Sequence, residues 1–249
     1  PYDTVTDTLA EMMGVTAEPL SVDCASLVSK NKAFARVTEP IRPAGEVVGA
    51  GEHSYVVQPN VNAGYRVVNT LLAGGARVGR LTTQVEAVGQ QFSSGAFVIT
   101  DASRQDVAAI ARETGVSFFA LDHTLKGKTT PVRTPRIGLY RRYWSGNMDE
   151  GWTRLVLEQL GFSYEPLWDK AIITGDLNTA YDVIILPDDS TDMIVGGEKE
   201  IEKRLQNSPV PERYRSGIGD EGVNNIRTFV ENGGTLIAIS GACAFAIEK

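Results

Sequence analysis

Cysteine, histidine and metal-binding motifs are scarce in this chain, and each scarcity closes off a class of chemistry. Two cysteines, Cys24 and Cys243, stand among 249 residues. They are too few for a disulfide framework and form no metal-like pair. Cys243 lies among small residues, where an inert core thiol is expected. The two histidines, His53 and His123, have no acid or second histidine at ligand spacing, so His123 reads as a surface or satisfied side chain. HExxH, the Walker loop and GxGxxG do not occur, which leaves zinc, nucleotide and dinucleotide readings without their usual support. No apolar run approaches the roughly 20 residues of a membrane-spanning helix. A formal net charge of −7 supplies no Lys/Arg stripe to displace counterions from phosphates, and so argues against nucleic acid. The short cluster Arg141-Arg142, beside Tyr143 and Trp144, reads as a solvated strand end.

What is present is an ordinary globular composition, 42% hydrophobic and 22% charged, in a chain long enough for one large or two modest α/β cores. Residues 1–20 read as a short helix around Leu9, Met12 and Met13, and Lys32 to Val37 as a strand. From Gly51 the pattern sharpens. His53 to Val57 reads as a strand, and Asn60 or Asn62 as the cap of a helix Ala63 to Ala73. Gly74-Gly75 stop that helix before a strand from Ala76 to Leu81. The scheme repeats in Phe97 to Ile99, a cap at Asp101 or Ser103, a helix Asp106 to Glu113 stopped by Gly115, and a strand Val116 to Leu121. This alternation predicts parallel pairing with right-handed crossovers. Residues 124–135 carry almost nothing apolar and read as a linker, giving two domains, 1–132 and 133–249.

The second half is organised by residues 136–168. Ile137-Gly138-Leu139-Tyr140 is a strand, a polar loop follows, and Trp152, Leu155, Val156 and Leu160 recur at the three-to-four spacing that makes the apolar side of an amphipathic helix before Gly161 ends it. Tyr181 to Pro187 is a nearly continuous apolar run typical of a central parallel strand. The long polar excursion 188–220 reads as a lid or insertion. Gly222 to Asn232 is a helix with Val223, Ile226, Phe229 and Val230 inward, and Thr235 to Ser240 is another buried strand. The chain starts at Pro1 without an initiator methionine and stops at Lys249 just after a new helix begins, so we expect a piece of a longer protein.

Ligand loops of such sheets follow the carboxyl ends of the strands. That places Trp144, Asn147, Asp149, Glu150, Asp188 and Asp189 as candidate ligand-binding residues for a peptide or small molecule, with Asp149 or Glu150 also suited to cap the helix after them. Asp188 to Asp192 holds closely spaced oxygen ligands but lacks the turn glycine and distal glutamate of a calcium loop, and no metal is assigned there. At Ile239-Ser240-Gly241-Ala242-Cys243, small residues between strand and helix permit a nucleophile elbow at Ser240. They equally permit close packing with Ser240 as an N-cap. A serine nucleophile needs a base, and both histidines lie in the other half.

Several blocks carry a family likeness: Pro1-Tyr2-Asp3 with Leu9 and Met13-Gly14-Val15, Asn147 to Arg154, Tyr181 to Pro187, Gly217-Ile218-Gly219 with Glu221-Gly222-Val223, and Phe229 to Leu236. They resemble the region downstream of the catalytic domain in large bacterial zinc carboxypeptidase-like proteins, spread along essentially the whole chain. The second half of such proteins is similar to a class I glutamine amidotransferase-like domain with a flavodoxin-like sheet. The resemblance implies two α/β domains with mainly parallel sheets, the second flavodoxin-like and truncated at its C-terminus. It also implies a secreted or periplasmic parent whose zinc lies in a peptidase domain upstream, with no cofactor in this region and that domain as its partner. Two departures follow. Active amidotransferases carry cysteine at the elbow where this chain has Ser240. They also place a Pro-Gly-Gly turn where it has Asp188 and Asp189, whose carboxylates oppose a developing oxyanion. The expected role is therefore a non-catalytic accessory region supporting folding, assembly or substrate presentation. A strand-end binding module and a Ser240-dependent hydrolase are the alternatives.

Overall fold

The computed structural model describes residues 21, 25, 38–39, 44–125, 128–143, 146–196 and 216–249. The helix read around Leu9, the strand read at Lys32 to Val37, Cys24 and Trp144 lie outside the described residues. The protein is mixed α/β, and its chain divides into two compact units, Pro1–Val132 and Arg133–Lys249.

The first unit holds β1 (Val47–Val48), β2 (Ser54–Val57), α1 (Asn62–Ala73), β3 (Arg77–Leu81), β4 (Val85–Ala87), β5 (Gln90–Phe92), β6 (Phe97–Thr100), α2 (Arg104–Thr114), β7 (Phe118–Leu121) and β8 (Thr129–Val132). Helix α1 buries Gly64, Val67, Val68 and Leu71, the three-and-four spacing that gives a helix one apolar face. Its N-cap is Val61, with no side-chain bond, so neither Asn60 nor Asn62 caps it. In α2 the Ser103 hydroxyl accepts the Asp106 amide at 3.1 Å, and Gly115 stops the helix in the left-handed region at φ 74°.

The six strands run in the order β1-β7-β2-β6-β3-β8. Only β1 and β7 pair in parallel; the pairings β2–β6, β2–β7, β3–β6 and β3–β8 are antiparallel. The expected parallel sheet is thus corrected for this unit. Each strand–helix–strand segment keeps its two strands in one direction, but a strand of the other segment lies between them: the split βαβ arrangement. The cause is the β4–β5 hairpin, whose turn residues Val88 and Gly89 both have positive φ, 51° and 68°. It reverses the chain between β3 and β6. The expected linker is also corrected: its residues 129–132 form β8 and close the sheet edge against β3. Tyr55, Val78, Phe97, Ile99 and Phe118 build the core on the face of α1 and α2, while Val56, Leu81, Phe92 and Val98 fill a second core on the other face.

The second unit holds β9 (Ile137–Tyr140), α3 (Met148–Gln159), β10 (Tyr164–Leu167), α4 (Asp169–Thr174), α5 (Leu177–Ala180), β11 (Val183–Leu186), helical turns at 191–196, α6 (Gly219–Glu231), β12 (Thr235–Ala238) and α7 (Ala242–Glu248). Its four strands are all parallel, in the order β10-β9-β11-β12. One face carries the larger core, with Tyr140, Leu167, Ile184, Leu186, Phe229 and Phe245. The other packs Leu157 of α3 over Ile137, Leu139 and Ile185. Two sequence expectations about side-chain direction are corrected here. Trp152, Leu155 and Val156 of α3 point outward, because the helix seats Glu150 and Leu157 inward instead. Val230 of α6 is likewise exposed, beyond the buried stripe Val223, Ile226 and Phe229. The expected burial of the last strand is corrected too, since Thr235 and Ile237 of β12 are exposed.

Candidate functional site

The carboxyl ends of β9, β11 and β12 bring together residues far apart in sequence. The loop after β9 carries Arg142, whose side chain is 14% exposed and pairs with Asp189, 8% exposed, after β11. Arg142 also donates to the Gly146 carbonyl at 3.0 Å. It is an interior ion pair, which corrects the reading of Arg141-Arg142 as a solvated strand end. Burial pushes the Asp189 carboxyl above its ordinary value, and the Arg142 guanidinium pulls the other way. Arg141 lies over the Trp168 ring at 5.1 Å, and Tyr143 stacks on the same ring at 4.2 Å.

Asn147 caps α3: its Oδ1 accepts the amides of Asp149 and Glu150 at 2.9 and 3.3 Å. Asp149 and Glu150 are thus the capped residues and not the caps, because an amide oxygen one position before the helix reaches those N–H groups directly. The Asn147 amide nitrogen donates to the Asp188 carbonyl at 2.9 Å, tying the β9 loop to the β11 loop. Asp149 is exposed, whereas Glu150 is buried with its Oε1 3.3 Å from Nε of Arg154.

Asp188 turns its carboxylate to the third loop, where Oδ1 accepts the Gly241 amide at 2.7 Å. A side chain at position 241 has no room, since a Cβ there would lie 2.7 Å from that oxygen. Ser240, just before it, has φ 51° and is exposed. A non-glycine residue in this region at a strand–helix junction has the backbone of an elbow. Neither histidine of the chain belongs to the unit that holds Ser240, and the N–H beside Ser240 is already taken by a carboxylate. Cys243 is exposed, with its thiol donating to the Ala238 carbonyl at 3.3 Å. That corrects its expected burial: Ala242 and Phe245 take the buried side of α7, and Cys243 lies on the other side.

Sequence reasoning passed over one buried pair. The Tyr140 hydroxyl donates to Asp169 Oδ1 at 2.7 Å, and both residues are buried. Burial pushes the Tyr140 phenol well above its usual value, and the Asp169 charge adds to that. Burial also raises the Asp169 carboxyl, against the opposing pull of the Tyr140 bond, the Gly217 amide and Arg142. The sequence signal was an acid two residues beyond the short strand Tyr164–Leu167, too common to single out.

Among the described residues of the second unit, two well-formed concavities lie away from Asn147, Asp149, Glu150, Asp188 and Asp189. One, of about 490 Å³, runs beside α4 between the Tyr143–Trp168 stack and Tyr181. The other, of about 390 Å³, lies at the amino ends of the strands by Arg136 and Tyr164. Comparison of the chain with protein-family models, curated proteins and solved structures gave no match.

Proposed function

We propose that this chain is a non-catalytic accessory region of a secreted zinc carboxypeptidase-like protein, supporting the folding or assembly of an upstream peptidase domain that holds the zinc. In this reading the second unit is a flavodoxin-like, class I glutamine amidotransferase-like sheet, incomplete at its C-terminus. The strand order β10-β9-β11-β12 supports it, being the first four places of the doubly wound order 2-1-3-4-5. The observation that carries the non-catalytic role is the Asp188 carboxylate on the Gly241 amide. An oxyanion hole needs free donors aimed at developing negative charge; here a fixed negative charge occupies the donor. The unit that carries Ser240 contains no histidine to serve as its base.

The test compares the peptidase parent with and without this region, using a panel of C-terminal-residue peptides with added Zn²⁺. Unchanged kcat/KM with lowered thermal stability or solubility is expected. A second reading, peptide or small-molecule binding, draws on the groove beside Tyr143 and Trp168, which lies within the ~300–1,000 Å³ range of ligand sites. Selectively raised KM on truncation would favour it and sink the scaffold reading. Glutamine or ester hydrolysis that disappears in Ser240→Ala would sink both.

A further inference from the structure

Among the described residues, strand β10 forms one edge of the second unit's sheet, and four aromatic side chains gather beside it. Tyr143 stacks on Trp168 at 4.2 Å with the rings 21° apart. Tyr181 packs against β9, where Gly138 leaves room for it: a Cβ there would lie 3.0 Å from the Tyr181 ring. Tyr164 follows at the amino end of β10. The two concavities of this unit, about 490 and 390 Å³, are both lined by Ala180 and Tyr181. They therefore adjoin, as one elongated groove with Tyr181 at its waist.

The rings and the wall beside them are held in place. Tyr143 is 43% exposed and Trp168 and Tyr181 are half-buried, while Arg141 over the indole fixes its plane. Asn225 Nδ2 donates to the carbonyls of Ile172 and Ile173 at 3.0 and 2.9 Å, which holds the end of α4. Gly175 and Asp176 follow, both with positive φ, 87° and 54°. Asp176 stands at the N-cap position of α5 without bonding its amides, although an aspartate there usually does. Its side chain is left to the groove, which Lys170, Thr174 and Thr179 also line. Both threonine hydroxyls donate to backbone carbonyls and keep lone pairs as acceptors.

These groups specify a chemistry. An aromatic face attracts polarised C–H groups and shields an apolar surface from water. A carboxylate only accepts and an ammonium only donates, so Asp176 and Lys170 together satisfy groups that do both. Arg136 and Glu165 repeat the mixture of signs in the other concavity, which favours a neutral ligand. A sugar ring meets both requirements, with an apolar C–H face and a rim of hydroxyls that donate and accept. An extended peptide is served less well. It would pair with the edge of β10, where exposed Glu165 and Pro166 discourage a further strand.

We propose that this groove binds a neutral oligosaccharide, its rings stacked on Tyr143 and Tyr181 and its hydroxyls held by Asp176 and Lys170. The proposal rests on the binding reading of the groove given above and supplies that reading with a ligand class.

Titration calorimetry of the 249-residue chain with cellotetraose, chitotetraose and maltotetraose tests this, beside a panel of tetrapeptides. At least one sugar is expected to bind, and Tyr143→Ala and Asp176→Asn each to weaken it about 10-fold or more, as for a lost stacking face or a lost charged hydrogen bond. Both positions are exposed, and asparagine tolerates a left-handed backbone. Trp152→Ala, at a 64% exposed position on α3, which packs on the other face of the sheet, is the control and leaves affinity unchanged. Far-UV circular dichroism and thermal midpoints establish that each variant is folded. Sugar binding that neither groove substitution weakens overturns the placement. Peptides that bind where no sugar does overturn the ligand class and keep the groove as a binding site. A chain that binds neither at millimolar concentrations overturns the proposal and the binding reading together.

Discussion

In the first unit the segments β2–α1–β3 and β6–α2–β7 interleave, so that all pairings among those four strands are antiparallel. In the second, β9 lies directly beside β10 and β11 beside β12, and every pairing is parallel. Along the chain the two halves share the same strand–helix–strand rhythm. What separates them is the segment joining consecutive strand–helix–strand units. In the first it is a hairpin turning at Val88-Gly89, which sends β6 back between β2 and β3. In the second, α4 and α5 return the chain to the amino end of the sheet before β11. A short reversal interleaves, whereas a helical return keeps strands aligned.

The largest test of that division replaces one core aromatic in each unit. All three tryptophans, Trp144, Trp152 and Trp168, lie in the second unit, so their fluorescence reports on it alone. Phe229→Ala should cost about 3–5 kcal/mol and move the fluorescence transition in urea. Phe118→Ala should cost the same order in the first unit, shifting far-UV circular dichroism while fluorescence stays in place. If either substitution moves both signals together, the two units unfold as one body and the contrast fails.

Next in size is Arg142→Met. It leaves the Asp189 carboxylate, 8% exposed, without its guanidinium, and should cost about 2–3 kcal/mol in the second unit. A fluorescence midpoint equal to that of the unaltered protein would show that the strand-end loops are not locked by this pair.

The smallest effect is in pH dependence, and it sharpens the contrast because Asp169 and Glu150 are the buried acids among the described residues, both in the second unit. Arg136 holds the Asp182 carboxyl well below the usual range through side-chain and backbone hydrogen bonds. Its contribution is therefore full above about pH 4 and fades on acidification. Asp169 has the opposite sign. Burial raises its native pKa, so stability is greatest below about pH 4 and falls as pH climbs through the raised value. Asp182→Asn should flatten the acid side of the urea-midpoint profile, and Asp169→Asn the other side. Profiles unchanged in both variants would remove these carboxyls from the linkage.

Much of the secondary structure was legible because its signals are local. The apolar runs around Tyr55, Phe97, Leu139 and Ile184 mark strands, and Gly74-Gly75, Gly115 and Gly161 mark helix ends through backbone freedom or lost helix propensity. The candidate site was legible only as a place. Asn147, Asp188, Asp189 and Ser240 follow strands and meet at one end of the sheet, but their partners, Arg142 and the Gly241 amide, are set by distances between loops 41 to 53 residues apart. The α3 stripe shows the same limit. Helical spacing groups Trp152, Leu155 and Val156 on one side, yet which side faces the sheet depends on the seats available to Glu150 and Leu157.

By itself the sequence determined the core strands around Tyr55, Phe97, Leu139 and Ile184 and the longer helices between them, since hydrophobic period, capping groups and glycine act within a few residues; the short elements β4, β5, β8 and β10 carry no such signal. Tertiary structure alone decided that the first sheet interleaves, that Asp188 fills the donor beside Ser240, and that α3 shows its apolar side to solvent. Each of those outcomes depends on which segments compete for the same neighbour, a question that no local pattern contains.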